Sequence, residues 1–228
     1  MNLTELRSSV TFKLFLDNSA QGDQPLIDRY ANEAVRDILQ KTRCTIRRST
    51  LSLTEGEEDY EFPVSIMSVL YMRNLADNGN QFMTRVTIPD LEMMRMAEVT
   101  NGHARYYTVL GNDFFSVWPP PGDDESISLH YVPMPTEVSS GSDDFSTNSL
   151  GGIPKWAHKA IEFYVLREMA DAQNHGPSKN GEQYNVRYVE MLAWINKMLR
   201  QQGGSILPTA QLGRPQRLMV PHDPSTDF

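Results

Sequence analysis

The chain has 228 residues, 39% of them hydrophobic and 22% charged, with a net charge of −8. That length and composition support one large domain or two modest ones and exclude a wholly disordered chain. No apolar run approaches the ~20 residues that span a bilayer, and the segment Met1–Leu16 carries Glu5, Arg7 and Lys13 without a secretory cleavage pattern. Cys44 is the single cysteine, which excludes an internal disulfide framework or a multi-cysteine zinc site and points to folding in a reducing cytoplasm. The acidic balance argues against general nucleic-acid affinity, which depends on cationic side chains displacing counterions.

The first 44 residues read as two helices. Thr4–Leu16 has Leu6, Val10 and Leu14 on one side, with Thr4 as the expected cap. After a polar loop at Asp17–Asp23, residues 24–43 carry the clearest stripe in the chain. Leu26, Ile27, Tyr30, Ala31, Ala34, Val35, Ile38 and Leu39 share one face, and Pro25 suits the first turn.

From Thr45 the pattern changes to short strands. Expected strands run over Ile46–Leu53, Tyr60–Pro63, Ile66–Arg73, Gln81–Thr87, Tyr106–Leu110, Phe114–Trp118 and Ser126–Val132. Asn78-Gly79 signals a hairpin, Pro89–Val99 a short helix, and Met134–Gly152 a long polar loop. Residues 51–150 carry 16 acidic and 4 basic side chains, net −12, whereas residues 1–50 and 151–228 are each net +2. Many of the acids cluster where turns are expected: Glu55, Glu57, Glu58 and Asp59; Asp123, Asp124 and Glu125; Asp143 and Asp144. The plain interpretation is solvated turns. The sharper one is a surface past which DNA slides without adhering.

Helical spacing returns over Lys155–Gln173 and Glu182–Gln202, separated by the breaker His175–Gly181. Ser205–Phe228, with Pro208, Pro215, Pro221 and Pro224, reads as an extended tail. The expected fold class is α+β. An antiparallel four-helix bundle forms from the N- and C-terminal helix pairs (1–44 and 153–203). It is interrupted by a β-rich acidic insertion (45–152), an antiparallel sheet or small barrel, and followed by the tail (204–228).

A search for chemistry finds none with recognisable spacing. The five histidines are scattered, with no H-E-x-x-H, and there is no G-x-S-x-G elbow or phosphate-binding glycine loop. No cofactor or metal is expected. His158 reads as a surface or interface histidine. Arg43, Arg47 and Arg48 form a compact basic cluster that could touch phosphate or an acidic partner, and could lower the Cys44 thiol pKa; a small residue at a helix end explains Cys44 more simply. Interaction features remain. Met93, Met94 and Met96 sit together in one short helix, and Leu218, Met219 and Val220 form an apolar triplet between tail prolines.

The order of these elements resembles a known family. LIDRYANEAVRDIL (Leu26–Leu39) is similar to the Asn-Glu-Ala helix of bacteriophage head-to-tail connector (adaptor) proteins. STLSLTEGEEDYEFPVSIMSVLYM (Ser49–Met72) is similar to their strand, turn, tyrosine-x-phenylalanine-proline and hydrophobic strand. ARYYTVLGNDFFSVWPPPGDDESISLHYVPMPTEV (Ala104–Val138) and IPKWAHKAIEFYVLREMADAQN (Ile153–Asn174) continue the likeness, which spans roughly residues 24–200.

That resemblance implies a structural, non-enzymatic virion protein in the neck. It implies a ring, usually of about twelve copies, under the portal protein, extending the DNA channel and holding the tail or a stopper or nozzle protein. Double-stranded DNA would pass without sequence-specific binding, and no membrane is involved. The tail would dock on the portal through Leu212, Pro215, Arg217, Leu218, Met219, Val220 and Phe228. Glu57, Glu58, Asp123, Asp124, Asp143 and Asp144 are the candidate acids of the lumen or its loops. The rival readings are a tail-tube or tail-terminator protein, which would be mostly β, and a hydrolase with two insertion carboxylates converging in a cleft. A small DNA-binding regulator is the last rival and fails on charge unless the arginine cluster near Cys44 binds DNA at low salt.

Overall fold

The computed structural model describes residues 1–14, 23–76, 81–96, 101–174 and 176–203. The expected loop at Asp17–Asp23 lies mostly outside them. So do the Asn78-Gly79 turn, the end of the Pro89–Val99 helix and the tail, with Leu212, Pro215, Arg217, Leu218, Met219, Val220 and Phe228.

Four helices carry one core: α1 (Leu3–Lys13), α2 (Gln24–Thr42), α4 (His158–Gln173) and α5 (Lys179–Gly203), with the short α3 (Ile88–Met96) elsewhere. The stripe expected on α2 is the buried one, with Ile27, Ala31, Ala34, Val35, Ile38 and Leu39 at 1% exposure or less. It packs with Ala160, Ile161 and Val165 of α4 and with Tyr188 and Ile195 of α5. The N- and C-terminal helices thus fold against one another across more than 100 residues of intervening chain. Buried α4 side chains point toward α1, α2 and α5, which explains its weak amphipathicity in the sequence.

The start of α1 differs from expectation. Its cap is Asn2, not Thr4. Asn2 Oδ1 accepts from the Glu5 N–H at 2.8 Å and the Glu5 carboxylate accepts from the Asn2 N–H at 3.0 Å, a reciprocal capping box. The Thr4 hydroxyl instead donates to the Gly141 carbonyl at 2.9 Å. That contact belongs to a second difference. The expected polar loop at 134–152 is a strap that buries Val138, Phe145 and Leu150 in the helical core. Asn32 clamps it by bonding both the N–H and the carbonyl of Val138. At Gly151, φ is +107° and an added Cβ would meet Val35 Cγ1 at 2.9 Å, so glycine alone lets the strap cross α2.

The insertion is a two-sheet body. Strands β1 (Arg47–Leu53), β8 (Glu125–Pro133), β3 (Ile66–Asn74) and β4 (Gln81–Phe82) form one sheet in that order. Strands β2 (Asp59–Glu61), β7 (Phe114–Trp118), β6 (Tyr106–Leu110) and β5 (Thr84–Arg85) form the other. Leu53, Met72, Tyr107, Phe115 and Leu129 fill the space between them. The pairing is antiparallel except for β5 with β6, which run parallel. This parallel pair arises because the expected returning strand over Gln81–Thr87 splits. Gln81 and Phe82 complete the hairpin with β3, then the chain crosses to the second sheet.

Strand β3 joins the two cores. Two register shifts against β8, between Ile66 and Ser68 and between Val69 and Tyr71, break the simple alternation. Ile66, Val69 and Met72 therefore face the sandwich, while Met67 and Leu70 pack on the helical core.

Candidate functional site

Chain direction separates the two ends of the sandwich. The chain enters at Arg47 and leaves at Pro133, beside the helices; Leu53 pairs with Glu125 at the opposite end. The turns at that distal end lie side by side, with the Gly56 N–H donating to the Pro121 carbonyl at 2.9 Å. The Glu55 N–H donates to Asp124 Oδ1 at 3.2 Å. The structure therefore brings Glu57 together with Asp123 and Asp124, all exposed.

The other candidate acids do not join them. Glu58 is half-buried and pairs with Arg95 at 2.6 Å. Arg95 also holds Glu92 and Asp59, which pins α3 across the second sheet. Asp143 accepts from the Ser139 and Ser140 N–H groups, and these bonds hold its carboxyl below the usual range. Asp144 accepts from the Ser146 hydroxyl and N–H, with the same effect. Both sit in the strap beside α1, where their work is turn formation.

Glu125 corrects the expectation of a solvated turn acid. It is buried, with Oε2 accepting from Asn74 Nδ2 and Oε1 bonded to His103 Nδ1, both at 2.5 Å. A carboxylate committed in this way, beside exposed turn acids, does not form the cleft that a two-carboxylate hydrolase requires. Among the described residues no group of three or more histidines, cysteines or acids could hold a metal ion. Among them, too, no helix is long and apolar enough to cross a membrane.

The basic cluster is dispersed by strand geometry. Arg43 ends α2 in the left-handed region, at φ 52°. Arg47 and Arg48 are consecutive on β1 and so project from opposite faces of the sheet. Arg47 lies opposite Tyr131, toward the sandwich, and Arg48 opposite His130, on the outside. Burial raises the Cys44 thiol pKa, so the nearby arginines do not activate it.

Two buried polar groups and one half-buried carboxylate escaped the sequence. His158 is 4% exposed rather than on the surface. Its Nε2 bonds the Ile153 carbonyl at 2.9 Å and its Nδ1 meets the Met1 amino group at 3.0 Å, and burial lowers its pKa. Glu162 takes Lys13, Lys159 and Ser9 as partners. Asp37 accepts from the Tyr188 hydroxyl. Met1, Ser9, Lys13 and Asp37 come from remote segments, so only the buried positions on α4 and α5 hinted at these contacts.

Exposed apolar groups are the other feature of an interaction protein. On α3, Leu91 is buried while Met93 and Met96 are 70% and 86% exposed. On α5, Val186 and Val189 stand outside, one helical turn apart, with Trp194 beyond them packed edge-on against Trp156.

A family model described as SU10 adaptor protein matches residues 1–212, nearly the whole chain. No curated protein matches it. The matched span takes in both helix pairs, the strap and the two-sheet insertion, in the order that the sequence resemblance implied. The chain therefore belongs to the SU10 adaptor protein family, and it is a bacteriophage head-to-tail adaptor, a structural rather than catalytic component of the virion.

Proposed function

We infer that copies of this chain, about twelve of them, form a ring beneath the portal at the virion neck. The ring extends the DNA channel and offers the surface to which the tail, a stopper or a nozzle attaches. The observation that carries this reading is the adaptor-family match across residues 1–212. The helices support it against a tail-tube or tail-terminator role, which would call for a mostly β chain. The helical part (1–44 and 153–203), joined by the strap at 134–152 that packs on it, and the rest of the acidic insertion (45–152) act as two units. The net −12 of residues 51–150 disfavours adhesion of passing duplex DNA by like-charge repulsion.

In this reading the segment 204–228 runs along the portal and docks through Leu212, Pro215, Arg217, Leu218, Met219, Val220 and Phe228. The protein is made in the host cytoplasm and reaches the neck during assembly. Native mass spectrometry of the full chain, alone and mixed with purified portal rings, tests the proposal. A closed oligomer of fixed copy number is expected. A chain that stays monomeric and ignores the portal removes it.

A further inference from the structure

The sheet β1-β8-β3-β4 covers the helical core with only part of its outer face, where Met67, Leu70 and Val132 sit. The rest of that face is open and unlike the remainder of the insertion. The register sets Arg48 opposite His130, His130 opposite Tyr71, and Arg73 opposite Phe82. Cross-strand partners share a face, so these five side chains form one strip.

The strip is organised. Tyr71 stacks on His130 with ring centres 4.3 Å apart and meets Phe82 edge-on at 5.5 Å. The Arg73 guanidinium lies 5.2 Å over Phe82. Arg48 Nε donates to Ser128 Oγ at 2.9 Å. Arg73 Nε is buried without a hydrogen-bond partner. Among the described residues neither Arg48 nor Arg73 is paired with a carboxylate. Two guanidinium groups on one strip, Arg48 held by Ser128 and Arg73 lying over Phe82, form a recognition surface for anions.

Two anion classes compete. Nucleic acid is disfavoured because two arginines are a small phosphate footprint and the exposed acids of the same sandwich would repel a backbone. Burial and the two arginines lower the His130 pKa, which disfavours a third positive charge on the strip. Carboxylates suit the guanidinium fork better. The exposed distal acids Glu55, Glu57, Asp123 and Asp124 are carboxylates without a cationic partner among the described residues.

We propose that this strip, centred on Arg48 and Arg73, receives the distal turns at 55–57 and 123–124 of a second copy of the chain. The contact joins two different surfaces, the head-to-tail geometry from which closed rings are built. It rests on the ring reading in requiring that copies meet, and it assigns those four acids to the subunit contact instead of the channel wall.

Charge reversal tests it on the full chain, with oligomer mass as the readout and circular dichroism as the check on folding. Arg48→Glu with Arg73→Glu, and separately Glu57→Lys with Asp123→Lys, should each weaken self-association about 10- to 100-fold through like-charge contact. Mixing the two variants should restore mixed oligomers, because each then offers what the other lacks. Should the Arg73 change unfold the sheet, Arg48→Glu alone and the exposed Glu57/Asp123 pair give the same comparison. If the wild type assembles and neither variant loses mass, the contact is elsewhere and the ring reading stands. If the wild type itself stays monomeric, with portal rings as well as alone, both fail. A variant that assembles normally but loses salt-sensitive binding to a labelled oligonucleotide would show a nucleic-acid strip and overturn the proposal.

Discussion

Lys13 of α1 meets Glu162 of α4 at 2.5 Å, with Glu162 2% exposed and Lys13 at the edge of solvent. Burial alone would push this carboxyl up, but Lys13, Lys159 and Ser9 outweigh it and hold it below its ordinary value of 4.5. The sign follows from linkage. A depressed carboxyl stabilises the fold above the unfolded pKa and loses that contribution as pH falls through the folded pKa. Glu162→Gln should cost about 2–3 kcal/mol at pH 7, and much less at pH 3. Urea melts at the two pH values check this; an equal loss at both would show that the carboxylate charge is not what matters.

The Tyr188 hydroxyl donates to Asp37, linking α5 to α2. Burial, then the Asp37 charge, raise the Tyr188 pKa above 10. The neutral phenol therefore stabilises the fold fully below pH 10, and that contribution falls as pH rises beyond it. Tyr188→Phe should lower stability by about 1–2 kcal/mol at neutral pH, since Asp37 keeps Lys41 at 2.8 Å. It should also flatten the alkaline limb of the stability profile. A variant with an unchanged alkaline limb would place that titration elsewhere.

Phe145 is fully buried in the helical core, although its neighbours Asp143, Asp144 and Ser146 are polar. Phe145→Ala should cost about 3–5 kcal/mol, as for other large core truncations. It should also loosen the α1 start, because the Leu3 and Thr4 N–H groups donate to the Asp143 and Gly141 carbonyls. Thermal melts give the first effect, and hydrogen exchange at Leu3 and Thr4 the second. A loss below about 1 kcal/mol would return the segment to the status of a loop.

These residues also mark what the sequence could and could not convey. The α2 stripe was legible because Ile27 to Leu39 repeat a period that only a helix satisfies. Most strands were legible because turn residues bracket them. Strand β3 was only half so: its two shifts against β8 send Met67 and Leu70 to one core and Val69 and Met72 to another, a division that alternation does not encode. Phe145 was hidden because one aromatic among polar residues has no period. Glu125 and Glu162 were hidden because His103 and Asn74 for the first, and Lys13 and Ser9 for the second, lie tens of residues or more away. The arginine cluster misled for a local reason. Neighbours in sequence on a strand point apart, so Arg48 shares a face with Arg73 rather than with Arg47.

Truncation tests the proposed portal-docking segment. Among the described residues the buried members of the helical core end at Ile195, with Leu199 packed against it, and those of the sandwich at Tyr131. If the segment 204–228 serves the portal and not the fold, a chain ending at Gly203 should keep its melting temperature to within the few degrees that ~0.5 kcal/mol represents. If the segment docks on the portal as proposed, the shortened chain should lose portal-ring binding in a pull-down or by native mass spectrometry. Triple substitution of Leu218, Met219 and Val220 by serine should reproduce most of that loss, since apolar anchors carry the affinity of an extended segment. Retained binding after truncation would move the portal contact to the described residues. There Val186 and Val189 on α5 would be the first positions to mutate, because they present the most regular exposed apolar pair of the helical part.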